Sequence, residues 1–134
     1  MPKFFSNYMK GESPLINGDG KYSRDFTYID NVIQMNDLAM TTDNSLALNQ
    51  IYNTAVGNRV TINEMAKSIR IAISKYNKEV LKIDPIFGPI REGDIPHSQA
   101  SIEKAKNLLN YKPSHSFKEG IEASVEWYLN NLNI

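Results

Sequence analysis

Arg24 and Arg91 are the residues of this chain best suited to holding a ligand. A guanidinium stays charged at any working pH, and its planar fork matches a phosphate or carboxylate bidentately. Arg24 comes just after the turn-rich run Asn17-Gly18-Asp19-Gly20. Arg91 opens the polar loop Arg91-Glu92-Gly93-Asp94-Ile95-Pro96-His97-Ser98. Two such arginines brought together would neutralise a diphosphate. Asp94, three residues after the second, would accept hydrogen bonds from ribose hydroxyls. Charge for the phosphates and acceptors for the sugar is the make-up of a nucleotide-sugar site. Sequence separation does not by itself bring the arginines together, and Arg24 has a plainer alternative as a surface residue paired with Asp25 or Asp19.

Other chemistry is sparse. His97 reads as a surface histidine or, beside Asp94, as a polar group of the same site. Neither His97 nor His115 has a second His or a Cys at metal-binding spacing. No Gly-x-Gly-x-x-Gly follows a strand, and there is no Gly-x-x-x-x-Gly-Lys-Ser/Thr loop and no Gly-x-Ser-x-Gly elbow. Carboxylates such as Asp25 and Asp30 show no pairing of the kind a glycosidase needs. The chain holds no complete catalytic constellation.

The elements that would carry these residues are short. The spacing predicts a first helix over residues 2–10, with Phe4, Phe5, Tyr8 and Met9 on one side and Gly11 as its stop. So early a helix with three aromatics looks cut from something longer. Pro14-Leu15-Ile16 reads as a strand leading into the Asn17–Gly20 turn, where Gly and Asn tolerate positive φ. A β-like run through Phe26 and Tyr28 follows. Asp30 then reads as the N-cap of a helix to about Met40, carrying Val32, Ile33, Met35 and Leu38. Gln50–Val56 reads as a mostly buried strand with a neighbour on each side. Thr61 with Glu64 forms a capping box for a helix to about Asn77. Two prolines make 84–90 extended. Ser101 is placed to cap a helix with Ile102, Ala105, Leu108 and Leu109. Ser116 with Glu119 is a second capping box, opening a last helix that buries Ile121, Val125, Tyr128 and Leu129, with Trp127 partly among them. The strands are too few to form a satisfying sheet on their own.

Bulk properties set the frame. A length of 134 residues suits a single domain spanning 1–134. Fifteen basic and fifteen acidic side chains cancel, and a pI near 6.7 argues against a dedicated nucleic-acid binder. The absence of cysteine rules out a disulfide framework and fits the cytoplasm. No apolar run approaches the roughly 20 residues of a membrane span.

Several runs, in order, carry a resemblance. Ile16-Asn17-Gly18-Asp19-Gly20, Ser23-Arg24-Asp25-Phe26, Tyr28-Ile29, Tyr52-Asn53, Ala55-Val56-Gly57 and Arg91-x-Gly93-Asp94-x-x-His97-Ser98 resemble the carboxyl-terminal part of the NAD-dependent epimerase/dehydratase family. These are extended short-chain dehydrogenases/reductases acting on nucleotide sugars. The nearest resemblance is to UDP-N-acetylglucosamine (or galactosamine) 4-epimerases of surface-polysaccharide pathways. The resemblance implies an α/β fold of about five helices with short strands, lacking the nucleotide-binding Rossmann half.

It also implies roles for particular residues. Arg24 and Arg91 match the arginines that hold the UDP diphosphate, and Asp94 the carboxylate on the uridine ribose. Asn17 matches a polar contact near the nucleotide, and Pro2-Lys3-Phe4 a segment lining the uracil pocket. Ser98 matches a position beside the sugar, where a small residue leaves room for an N-acetyl group and a tyrosine restricts it; its plainer reading is a loop serine capping the helix near Ser101. NAD is the cofactor of the family, with none expected on this chain alone. The family's catalytic Tyr-x-x-x-Lys is missing, since none of the seven tyrosines is followed by Lys four positions on. Relatives homodimerise mostly through helices of the absent half, so the same dimer is not implied here. Related dehydratases or decarboxylases, and a binding module without catalysis, share the same residues.

Overall fold

The computed structural model describes residues 1–131. Its helices are α1 (Pro2–Met9), α2 (Ile29–Thr41), α3 (Ile62–Ser74), α4 (Glu103–Leu109) and α5 (Phe117–Asn131). Its strands are β1 (Leu15–Asn17), β2 (Ser23–Arg24), β3 (Val60–Thr61) and β4 (Ile86–Gly88). Short 3-10 turns cover Ser45–Ala47 and Lys78–Lys82. An α/β make-up of five helices with short strands is the one expected from the sequence.

Two apolar clusters hold these elements. In the first, Phe5 and Tyr8 of α1 meet Met65, Ile69, Ala72 and Ile73 of α3, Val80, and Ile121 and Val125 of α5. Phe5 stacks on Tyr128, with centroids 4.2 Å apart. In the second, Met35 of α2 packs with Ala47, Ala55, Ile102, Ala105, Leu109 and Tyr111. These residues recur at helical spacing, so burying one stripe of each helix is what the sequence pattern dictates. Asn31 joins α2 to the chain ahead of α5. Its buried amide donates to the His115 carbonyl at 2.8 Å and accepts from Ser114 Oγ and the His115 N–H, both at 3.0 Å. A buried amide with these bonds made avoids the cost of an orphaned polar group.

The strands form two separate pairs. β1 runs parallel to β4, with Leu15 opposite Ile86, Ile16 opposite Phe87 and Asn17 opposite Gly88. β2 runs antiparallel to β3, with Ser23 opposite Thr61 and Arg24 opposite Val60. Thus β1 and β2, though joined by the Asn17–Gly20 turn, do not pair with each other. Gly20 is at φ +73°, and a Cβ there would overlap the Asn63 side-chain amide. That closeness is used: Asn63 donates from its side chain to the Asp19 carbonyl at 2.9 Å and from its backbone to the Gly20 carbonyl at 3.0 Å, while Ile62 N–H donates to Tyr22 at 2.9 Å. The turn therefore satisfies N–H groups that open α3, which would otherwise have no helical partner.

Several local expectations are corrected. Gln50–Val56 is not a strand. Ile51 is 88% exposed, and the segment is held by side-chain bonds: Tyr52 Oη to Ala47 O at 2.8 Å and Asn53 Nδ2 to Ser101 O at 3.2 Å. Strand-forming composition supplies no ladder where no strand edge lies alongside. Phe26 and Tyr28 lie outside β2, which ends at Arg24. Tyr28, not Asp30, occupies the cap of α2, without a side-chain bond; Asp30 falls in the first turn, where the helix dipole favours it. Ile102 rather than Ser101 caps α4, so neither Ser101 nor Ser98 plays that part. α3 stops at Ser74, and Asn77 caps the following 3-10 turn through Glu79 N–H. Trp127 and Leu129 are exposed.

Both capping boxes form. Thr61 Oγ1 accepts from Glu64 N–H at 3.1 Å while the Glu64 carboxylate accepts from Thr61 N–H and hydroxyl. Ser116 and Glu119 repeat the pattern. The Thr61 backbone N–H, then its hydroxyl, holds the Glu64 carboxyl below its ordinary value of 4.5. The Ser116 hydroxyl, then its N–H, does the same for Glu119. A depressed folded-state pKa gives stability that is present above the unfolded value and lost as the pH falls through the folded one. Replacing both glutamates by glutamine is therefore expected to flatten the fall in Tm between about pH 5 and about pH 3, as thermal melts across that window would show. Gly20→Ala is expected to cost about 2 kcal/mol by denaturant titration, with roughly half recovered in an Asn63→Ala background, because only the backbone strain then remains.

Candidate functional site

The two pairings of β1 and β2 converge on one segment. At its start, Gly18 N–H donates to the Gly88 carbonyl at 2.9 Å, and a Cβ on Gly18 would stand 3.0 Å from Ile90. At its end, Ser23 and His97 form a parallel bridge. Ser23 N–H donates to Pro96 O at 2.9 Å, and Ser98 N–H donates to Ser23 O at 3.1 Å. Asn17 to Ser23 is six steps along the chain, while Gly88 to His97 is nine. The longer run must bulge, and the bulge carries Arg91 and Asp94.

A β-turn shapes the bulge. Asp94 N–H donates to Arg91 O at 3.2 Å, and Gly93, in the third position, has φ +77°. Glycine meets that requirement of a type II turn without steric cost. Arg24 reaches over from β2. Its Nη2 pairs with the Asp94 carboxylate, and its Nη1 donates to Ser23 O at 2.8 Å and to Pro96 O at 3.4 Å. Arg24 and Asp94 side chains are 27% and 35% exposed, so the pair is shielded yet open to a ligand. Arg91 is exposed, and among the described residues no ion pair engages it.

Sequence reasoning singled out Arg24, Asp94, Arg91, Ser98, Asn17, Lys3 and Phe4. The first four gather on this crossing, and Asn17 borders its start on β1. The alternative partners of Arg24 are taken elsewhere: Asp19 pairs with Lys21, and Asp25 accepts from the N–H groups of Val56 and Gly57 at 3.1 and 3.0 Å. Lys3 and Phe4 lie on α1, Lys3 exposed and Phe4 packed against the first apolar cluster. No hydrogen bond or ion pair among the described residues joins either to the crossing.

Two contributors were missed. Asp25 anchors the 55–57 loop, and the signal for it was its place beside Arg24. Ser23, 3% exposed, meets His97 Nδ1 through its hydroxyl at 2.9 Å. His97 is thus an exposed histidine with a buried partner.

The fit to a dinucleotide cofactor is poor. Among the described residues, β1 passes through its glycine turn to β2 and β4 through the Gly93 turn to the His97 bridge, and neither turn opens a helix that would cradle a pyrophosphate in the manner of such folds. Among the described residues, no group of three His, Cys, Asp or Glu is placed to hold a metal, and no helix is long and apolar enough to cross a membrane.

Comparison with known proteins gives the class. The chain belongs to the NAD-dependent epimerases and dehydratases, and the family that matches, over residues 1–124, is described as GDP-mannose 4,6 dehydratase. It is 33% identical to a UDP-glucuronate 4-epimerase of Thermodesulfobacterium geofontis, over 97% of this chain and 38% of that protein. Among solved structures it resembles a UDP-N-acetylglucosamine 4-epimerase from Methanobrevibacter ruminantium in complex with UDP-N-acetylmuramic acid, with a TM-score of 0.84, 33% identity, and 98% and 39% of the two chains covered. It also resembles a UDP-glucuronic acid 4-epimerase from Bacillus cereus in complex with UDP-glucuronic acid and NAD, with a TM-score of 0.80, 25% identity, and 96% and 38% covered. The chain therefore spans about two-fifths of the length of these relatives.

Asp25→Ala would strip the acceptor from two N–H groups. It is expected to destabilise the protein by about 2 kcal/mol and to speed amide exchange at Val56 and Gly57 selectively, as exchange measured residue by residue would show.

Proposed function

We propose that this chain is the substrate-binding part of a UDP-N-acetylhexosamine 4-epimerase. The observation that carries the reading is the crossing of residues 88–98 with β2, where Asp94 of the bulge pairs with Arg24, Arg91 of the same bulge is exposed, and the small residue Ser98 follows the bridge. In this reading Arg24 and Arg91 take the diphosphate, Asp94 accepts from the ribose hydroxyls, and Asn17 contributes near the nucleotide. Lys3 and Phe4 line the base pocket, and Ser98 leaves room for the N-acetyl group. These side chains bind and orient; the proton and hydride steps of such an epimerase need groups that the sequence of this chain does not offer. Arg24 and Asp94 already face each other, so a bound nucleotide would share both rather than assemble them, a preorganised arrangement.

Calorimetric titration with UDP and with UDP-N-acetylglucosamine, no NAD added, tests the reading. Binding is expected, and Arg24→Ala or Arg91→Ala is expected to weaken it roughly tenfold to a hundredfold, the effect of losing a charge-assisted pair. Ser98→Tyr is expected to weaken UDP-N-acetylglucosamine while sparing UDP. Cooperative unfolding with no UDP binding would overturn the proposal.

A further inference from the structure

The register at the end of the crossing decides which side chain stands beside Arg24. Ser23 and His97 are directly paired in a parallel bridge, and paired residues project to the same side while their neighbours alternate. Ser23 and His97 thus share one face of this small ribbon, joined by the 2.9 Å contact of Ser23 Oγ with His97 Nδ1. Arg24 and Ser98 share the other. Burial separates the faces on β2, where Ser23 is buried and Arg24 partly open, while His97 and Ser98 are both exposed. A slip of one residue would exchange the faces, placing an imidazole beside Arg24 and Ser98 beside Ser23.

Few contacts fix this register. Beyond the two backbone bonds to Ser23, residues 95–98 have no ladder partner among the described residues; Arg24 Nη1 donates to Pro96 O at 3.4 Å, and next along the chain Gln99 Nε2 donates to Gly57 O at 2.7 Å. Pro96 cannot donate a backbone bond. Ser23 itself is held, since β2 pairs with β3 at Thr61. The Ser23–His97 bond is therefore the contact that joins the two side chains of the bridge itself, alongside the hold of Arg24 on Pro96 O.

We infer that His97 is a positioning residue: through Ser23 it locks the register of residues 96–98 and keeps Ser98, rather than an imidazole, on the face of Arg24. The consequence for the sugar rests on the reading under Proposed function. The lock itself does not.

The test compares His97→Ala, Ser23→Ala, the double variant and His97→Asn, whose side-chain nitrogen or oxygen stands near the place of Nδ1. The first readout is amide exchange at Ser98, whose N–H is bonded to Ser23 O, with α3 amides as the check that the fold persists. Exchange at Ser98 is expected to rise roughly fivefold to tenfold in either alanine variant, the loss of about one hydrogen bond. The double variant is expected to be no worse than the singles, and His97→Asn to return most of the protection. The second readout is the ratio of UDP-N-acetylglucosamine to UDP affinity, which is expected to fall in His97→Ala and recover in His97→Asn. Unchanged Ser98 exchange in His97→Ala, additive losses, or failure of asparagine to restore protection would overturn the inference. Wild-type protein that binds no UDP would overturn the functional reading alone, and the exchange data would still decide the lock.

Discussion

The structure depends on a mismatch of length between two segments fastened at both ends. Residues 17–23 and 88–97 run alongside each other, pinned by β1–β4 at one end and by Ser23–His97 at the other. The second is three residues longer, so its excess must leave the line of the first. That excess is the Arg91–Asp94 turn, and its escape places Asp94 where Arg24 reaches it. Without either fastening, the two charged residues would belong to separate loops. The remaining elements support this frame: α3 takes up the Asp19–Tyr22 carbonyls at its N-terminus, and the apolar stripes of α1, α3 and α5 fix where α3 sits.

The frame also bears on the binding chemistry proposed for these residues. Arg24 serves two carbonyls and one carboxylate, so it is oriented before any ligand arrives. Arg91 stands at the edge of a turn with its charge open to solvent. A held cation beside a free one suits an extended anion, with one contact fixing position and the other adapting.

What could be read from the sequence follows the range of the interaction. The capping boxes at Thr61 and Ser116 and the glycine turn after Asn17 involve partners within a few residues, and each appeared as expected; the helical stripes did so apart from Trp127 and Leu129. Arg24 and Arg91 were legible by residue type. So was Asp94, as an acceptor, but its pairing with Arg24 was not: the two lie 70 positions apart, and local pattern carries no information over that span. The same distance hid Asp25, whose acceptors serve residues 31 and 32 positions away. The Gln50–Val56 error has a different origin. Its composition favours a strand, but whether a strand forms depends on an adjacent edge, and among the described residues no strand pairs with it.

The buried Asn31, with three side-chain bonds, has a consequence for how the chain acquires its shape. Its partners lie 83 and 84 positions away, and the Ser23–His97 contact spans 74. Closing such long loops costs entropy before any contact repays it. During synthesis, β1, β2 and the start of α2 emerge from the ribosome long before their partners exist. The charged pair and the clamp on α2 thus wait for residues 86–115, and until then Ile16 and Met35, both buried in the folded chain, lack part of their cover. What residues 16–35 expose at first is sheltered by segments made much later.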